Sequence, residues 1–102
     1  MPIQGDLYTF SKKNVDNAPD KAGVYALYQS DTTTYIGRAQ GGSTTIRSRL
    51  QDHYAGRGGN CTKSATDYRR ETSSNAASRE KELLIEYKNK HGKLPKCNDV
   101  MP

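Results

Sequence analysis

The fold is decided by two neighbouring runs, GVYALY at residues 23–28 and TYIGR at residues 34–38. Both runs are rich in aromatic and β-branched residues, which favour extended backbone. The stretch between them, residues 29–33, is polar and typical of a connecting loop of about four or five residues. We therefore predict that the two runs form an antiparallel β-hairpin.

Upstream of the hairpin, the sequence predicts little regular structure. Leu7, Tyr8 and Phe10 stand among polar residues and indicate a short edge strand. Residues 14–20 are predicted to form a loop, because Pro19 disfavours a helix there.

Downstream, the apolar residues change to a helical spacing. Ile46, Leu50 and Tyr54 recur every four residues and predict a helix over residues 44–55. A basic loop over residues 57–63 and a third strand over residues 65–71 follow. A second helix is predicted over residues 76–91, because Gly92 supplies a stop signal.

The resulting order of elements is β-β-α-β-α. Strands that follow each other without a long crossover pair in the antiparallel sense. We therefore predict an α+β fold, with a small antiparallel three-stranded sheet flanked by helices. A chain of 102 residues has room for one core, so residues 1–102 are predicted to form a single domain.

The charge of the chain indicates the kind of partner. Sixteen Lys and Arg against eleven Asp and Glu give a net charge of +5, which favours nucleic acid or an anionic membrane surface, although a solvated basic surface would look the same. No run approaches the ~20 apolar residues that span a bilayer, and the N-terminus has no apolar leader segment. We expect a cytoplasmic or otherwise intracellular protein, associated with nucleic acid and with no membrane partner.

The two cysteines, Cys61 and Cys97, show no zinc-ligand spacing. We expect them to be incidental free thiols, with a disulfide as the less favoured alternative.

Five residues stand out as candidates for chemistry. Tyr25 and Tyr35 lie on adjacent predicted strands, while Arg49 and His53, four residues apart, share one helix face. Arg can clamp a phosphate, and His can donate or accept a proton. Glu80 falls inside the apolar stripe of the last helix, where a carboxylate is costly unless a cation or a donor meets it. Taken one by one, these residues are equally compatible with a half-exposed sheet and charged helix surfaces.

Taken together, these residues resemble the GIY-YIG nuclease superfamily over nearly the whole chain. GVY at residues 23–25 and YIG at residues 35–37 are similar to the two signature triplets, with Val in place of Ile in the first. Arg38 occupies the basic position that commonly follows, Arg49 matches the arginine of the following helix, and His53 stands one turn later. EKELL at residues 80–84, followed by Pro95 and Asn98, resembles the metal-binding glutamate, its apolar pair, and the closing proline and asparagine.

The interval from Glu80 to Asn98 is somewhat long for the superfamily. For that reason Glu86 stays open as a second choice for the metal ligand.

The resemblance implies a metal-dependent endonuclease that hydrolyses phosphodiester bonds, with DNA as the expected substrate. Glu80 would hold one Mg²⁺ or Mn²⁺ ion and Arg49 would clamp the phosphate. One of the two tyrosines would take a proton from the attacking water; Tyr25 is favoured for this role, with Tyr35 orienting the water. A tyrosine pKa near 10 would first have to be lowered by nearby cations. His53 would relay the proton or bind phosphate.

Three further residues are expected to contact substrate or support the site. These are Arg38, Arg57 and Asn98, of which Asn98 is expected mainly to fix local geometry. Other basic residues, Lys63, Arg69, Arg70 and those in residues 88–96, would contact backbone phosphates. Cleavage would then be sequence-tolerant or structure-selective, with a larger protein or an additional domain supplying specificity.

Two other classes of function remain compatible with the sequence. One is a module of the same fold that binds nucleic acid without cutting it, although binding alone requires no acidic metal ligand. The other is an interaction domain with an incidental basic surface.

Overall fold

The computed structural model describes residues 2–98, which form a four-stranded antiparallel sheet with helices on both faces. The strands are β1 (Tyr8–Thr9), β2 (Gly23–Gln29), β3 (Thr32–Ala39) and β4 (Asp67–Thr72), in the spatial order β1-β4-β2-β3. The helices are α1 (Lys12–Asp16), α2 (Ile46–Tyr54), α3 (Asn60–Lys63) and α4 (Ala76–His91). The α+β prediction is confirmed. The sheet has four strands instead of the predicted three, because the short edge strand indicated near Tyr8, which the predicted sheet left out, pairs with β4 as β1.

The hairpin of β2 and β3 is tighter than the sequence indicated. Only Ser30 and Asp31 separate the strands, because Gln29 already pairs with Thr32. Both turn residues have positive φ, 49° and 72°, as a two-residue turn between right-handedly twisted strands requires. The predicted loop of four or five residues was therefore too long.

Strand β2 lies in the centre of the molecule, and its two faces belong to two different cores. Tyr25 and Leu27 face a core shared with α1 and α2. Val24 and Ala26 face a second core, which Leu83 and Leu84 of α4 complete. Because both faces of β2 are covered, its sequence is a continuous apolar run and lacks the alternation of polar and apolar residues that is typical of half-exposed strands.

Helix α2 begins at a capping box. The Thr45 side chain accepts from the backbone N–H of Ser48, and the Ser48 side chain accepts from the backbone N–H of Thr45. Two orphan donors of the first turn are thus satisfied, which fixes where the helix starts. The helix projects Arg49 and His53 toward the hairpin.

Helix α4 has the predicted bounds, and Gly92 ends it in the left-handed region with φ 77°. Its buried face consists of Ala76, Glu80, Leu83 and Leu84, while Ala77 and His91 are exposed. Glu80, by contrast, is buried as expected.

Two short helices occupy segments that were predicted as loops. Helix α1 is capped at its start by Ser11, whose side chain accepts from the Asn14 N–H, and it ends before Pro19. Helix α3, at residues 60–63, forms a single turn in the basic loop. Such short helices have no room for an apolar repeat, so periodicity does not reveal them.

The prediction of free thiols was wrong: Cys61 and Cys97 form a disulfide with a Cα–Cα distance of 5.7 Å. The Cys97 N–H donates to the Thr34 carbonyl, so the bridge ties α3 to the outer strand β3. Disulfides are more common in oxidising environments than in the cytosol, and the cytoplasmic location stays a prediction. Within residues 2–98, no helix has the length and apolar character needed to cross a membrane.

Candidate active site

An open pocket lies at the outer edge of β3 and draws its residues from both faces of the sheet. Its lining residues are Tyr35, Arg38, Gln40, Arg49 and Glu80. Strand alternation sends Tyr35 toward α2 and Arg38 toward α4. Arg49 of α2 and Glu80 of α4 therefore meet at this edge although their helices pack on opposite faces of the sheet.

Tyr25 is completely buried beside this pocket, and Gly37 makes room for it. A Cβ atom at Gly37 would lie 2.5 Å from the Tyr25 hydroxyl oxygen and 2.7 Å from the Tyr35 ring. These distances are well inside van der Waals contact, so no other residue fits without moving a ring. The glycine of the YIG triplet thus lets the two tyrosines pack with ring centroids 6.1 Å apart.

The Tyr25 hydroxyl belongs to a buried hydrogen-bond chain. It lies 2.8 Å from Nε2 of His53, and the other ring nitrogen, Nδ1, lies 3.0 Å from the hydroxyl oxygen of Thr62. Burial lowers the pKa of His53 to about 4, and the charge of Arg49 acts in the same direction while Asp52 opposes it. His53 is therefore neutral at pH 7 and a weak base there, but its unprotonated ring nitrogen can accept a hydrogen bond.

The pKa of Tyr25 moves in the direction opposite to the one that a general base needs. Burial raises it, the neighbouring Tyr35 raises it further, and the charge of Arg49 only partly offsets the increase. Arg49 itself has a raised pKa, chiefly because of Tyr25, and keeps its charge. The required lowering of the Tyr25 pKa is thus not provided by the protein groups alone.

Glu80 is the acidic member of the pocket. Its Oε1 lies 3.2 Å from Nη1 of Arg38, and its side chain is 11% exposed. Burial raises the pKa of Glu80, while Arg38 and Arg49 favour the ionised form. The second choice for the metal ligand, Glu86, lies elsewhere on α4 and lines a different pocket beside Ile3.

Two predicted residues lie outside the pocket. Arg57 is exposed and forms an ion pair with Asp52 at 2.7 Å. The Asn98 amide donates to the Ile36 carbonyl and accepts from the Ile36 N–H, at 3.0 and 2.9 Å, so it holds the edge of β3 next to Tyr35. Contact of either residue with substrate stays a prediction.

Three residues of the site were missed in the sequence. Thr62 contacts His53, Gly58 leaves space for the His53 ring, and Gln40 lines the pocket. All three stand in segments without periodicity, and a threonine or a glycine in a polar loop carries no signal of its own. Only the folded geometry reveals them.

Comparison with known proteins gives the class of fold. No family model and no curated protein matches the chain. Solved structures do match: the GIY-YIG N-terminal endonuclease domain of UvrC from Thermotoga maritima with bound magnesium has a TM-score of 0.63 at 21% identity. The alignment covers 86% of this chain and 94% of that one. The chain therefore has the fold of this GIY-YIG endonuclease domain, as the resemblance seen in its motifs predicted.

Variants of the same Thermotoga maritima domain match equally well. An asparagine-to-alanine variant bound to its catalytic divalent cation gives a TM-score of 0.67 at 20% identity, with 87% of this chain and 94% of that chain covered. A tyrosine-to-phenylalanine variant gives 0.66 at 20% identity, with 86% and 94% covered.

Proposed function

We propose that this chain is a metal-dependent endonuclease that hydrolyses phosphodiester bonds, with DNA as its substrate. The observation that carries this proposal is the meeting of Tyr35, Arg49 and Glu80 in one open pocket, with the Tyr25–His53 pair buried beside it. These residues come from four elements and two separate cores, and stability alone does not require their convergence. The matched Thermotoga maritima domain, an endonuclease domain with a catalytic divalent cation, supports the same interpretation.

The residues of the pocket fit a divalent cation that keeps most of its water. Glu80 supplies a hard oxygen ligand, and no cluster of three or more His, Cys, Asp or Glu side chains occurs among residues 2–98. Mg²⁺ is often held by only one or two carboxylates and retains several waters. When bound, Mg²⁺ or Mn²⁺ would neutralise charge on the phosphate and on the leaving oxygen. Burial of Glu80 is compatible with this role, because a nearby cation favours its ionised form.

Arg49 is suited to clamp the scissile phosphate. It is partly buried, lines the pocket, and keeps its charge because its pKa is raised. A guanidinium group donates two parallel hydrogen bonds to phosphate oxygens, and these strengthen as charge develops in the transition state. Arg38, bound to Glu80, holds that carboxylate toward the pocket.

The two tyrosines take different parts in this proposal. Tyr35 lines the pocket and is in a position to contact the attacking water. Tyr25 is buried, has a raised pKa and contacts neutral His53, whose pKa is lowered, so it is better placed to orient neighbouring groups than to give up its proton. These positions favour Tyr35 over Tyr25 as the direct proton acceptor, the reverse of the assignment expected from the sequence.

Substrate selection would rest on charge more than on sequence. The net charge of +5 and exposed residues such as Arg57 and Lys63 provide affinity for phosphates without reading bases. Cleavage is therefore expected to be sequence-tolerant or structure-selective, and to weaken as salt increases. Greater specificity would require a further protein or domain.

The test is a cleavage assay with labelled single-stranded, duplex and branched DNA and with RNA, in Mg²⁺, Mn²⁺ or EDTA. Cutting in metal, lost in EDTA, is the expected result. Retention of nucleic acid without cutting would instead identify a binding module, and absence of both would favour an interaction domain.

Variants of pocket residues test whether the activity depends on this pocket. Arg49→Ala is expected to lower kcat by roughly 10²–10³-fold, as loss of a transition-state donor does. Lys13→Ala removes the same charge from an exposed position on α1 and serves as the matched control. Equal activity of Arg49→Ala and Lys13→Ala would refute the proposed site.

A further inference from the structure

The side of His53 that faces away from Tyr25 is enclosed. His53 is 4% exposed and Thr62 is 2% exposed, and their contact joins Nδ1 to the threonine oxygen at 3.0 Å. A Cβ atom at Gly58 would lie 2.5 Å from Nδ1, so the loop closes tightly over this nitrogen. Water has little access to Nδ1, and the Thr62 hydroxyl is its hydrogen-bond partner.

The Thr62 hydroxyl affects which group donates and which accepts at each contact of this hydrogen-bond chain. The hydroxyl also lies 3.4 Å from the Gly59 carbonyl oxygen, which can only accept, so when its proton is directed there its oxygen is left to accept from Nδ1. In that arrangement Nδ1 of His53 carries the ring proton and donates to Thr62. Nε2 is left without a proton and accepts from the Tyr25 hydroxyl.

We infer that Thr62 is a positioning residue, which holds His53 in the Nδ1–H tautomer and thereby makes the hydroxyl of Tyr25, which packs beside Tyr35 of the pocket, the donor in its contact with Nε2. The inference rests on the proposed nuclease function for its catalytic consequence, but the tautomer is a property of the folded protein alone. With the opposite tautomer, His53 would donate to the Tyr25 oxygen, and the Tyr25 proton would have to turn toward another group. That change would disturb the orientation of the tyrosine pair beside the pocket.

The groups that face His53 are consistent with this order of donors and acceptors. Tyr25 of β2 and Tyr35 of β3 contact the ring, while Arg49 and Asp52 of α2 act on it through their charges. Of these groups, only Asp52 favours the charged imidazolium form, and it is the weakest of the influences on the His53 pKa. The neutral ring, which has distinct tautomers, is therefore the form present at pH 7.

The position of Thr62 is fixed from outside its own short helix. Helix α3 spans four residues and has no side-chain cap at its start, so it contributes little stability by itself. The preceding residue, Cys61, is bonded to Cys97, whose N–H donates to Thr34 of β3. A covalent link thus sets the distance from Thr62 to the strand that carries Tyr35.

The test begins with the tautomer. The chain has two histidines, and His91→Gln removes the exposed one, so the remaining imidazole ¹⁵N signals belong to His53. At pH 7 the ¹⁵N shifts are expected to show a protonated Nδ1 and an unprotonated Nε2. A protonated Nε2 would overturn the inference, whether or not the protein cuts nucleic acid.

The second part removes the hydroxyl. In the same background, Thr62→Val keeps the shape of the side chain, and Thr62→Ser keeps the hydroxyl. Thr62→Val is expected to shift the population toward Nε2–H and to lower kcat about tenfold with little change in KM, less than the loss from deleting a transition-state donor. Thr62→Ser is expected to retain the Nδ1–H signal and most of the rate.

Two outcomes separate the inference from the proposed function. If the wild type does not cut but the Thr62→Val tautomer shifts, the positioning role stands and the nuclease proposal fails. If Thr62→Val keeps the Nδ1–H tautomer and the wild-type rate, the positioning role is refuted while the nuclease proposal is unaffected.

Discussion

Removal of the Cys61–Cys97 bridge should remove a large part of the stability of this domain. The bridge closes a loop with a sequence separation of 36 residues. In the chain-entropy model, a loop of this length restricts the unfolded chain by about 13 cal/mol/K, or about 4 kcal/mol at 25 °C. Small domains have a total free energy of unfolding of ~5–15 kcal/mol, so this is a substantial fraction. The melting temperature should fall by roughly 15–30 °C.

The assay is urea and thermal unfolding of the oxidised protein, the protein in dithiothreitol, and a Cys61→Ser/Cys97→Ser double variant. We expect the last two to coincide at a lower midpoint, and the double variant to be insensitive to reductant. Thiol titration of the untreated native protein should find neither cysteine reactive. Two reactive thiols without unfolding, or equal midpoints with and without reductant, would refute the reasoning.

Three further predictions concern the site. Gly37→Ala should abolish cleavage and lower the urea midpoint, because the added Cβ would lie 2.5 Å from a buried tyrosine hydroxyl; activity at the wild-type level would contradict this close packing. Glu80→Gln should weaken Mn²⁺ binding at least tenfold, as measured by water proton relaxation. Glu86→Gln, on the same helix but in a different pocket, should leave Mn²⁺ binding unchanged. The reverse result would assign the metal to Glu86. The free energy of unfolding should fall by up to about 3 kcal/mol between pH 6.5 and pH 4, since His53 has a pKa near 4 when folded and about 6.5 when unfolded, so the unfolded chain binds the extra proton. His53→Gln should flatten this pH dependence and His91→Gln should not, as urea titrations at several pH values would show.

The parts of the fold that local patterns control were predictable from the sequence. Helix α4 has the predicted bounds because its apolar repeat is long and Gly92 can adopt the left-handed conformation that ends it. The hairpin was recognised from its strand-forming residues. The length of its loop was not predicted correctly, because Ser30 and Asp31 adopt positive φ without the usual glycine. No residue type at these positions indicates a two-residue turn.

The candidate site, like the fold, was only partly predictable from the sequence. Tyr35, Arg49 and Glu80 were found through their spacing on strands and helices, and the structure brings them into one pocket. The partner of Cys61 lies 36 residues away, and the role of Thr62 depends on how a short helix packs, so neither had a local signal. Burial also reversed the expected shift of the Tyr25 pKa, which only the folded environment determines.

The pocket at the edge of β3 has a consequence for the dynamics of the domain. Arg49 and Glu80 belong to helices that pack in two separate cores. A local opening of α4 would withdraw the carboxylate and leave the arginine in place, and an opening of α2 would do the reverse. If the chain has the proposed nuclease activity, its rate is expected to be proportional to the population in which both helices are docked at once. Hydrogen exchange of α2 and α4 would measure that population, and the less protected of the two helices sets the limit on turnover at high temperature.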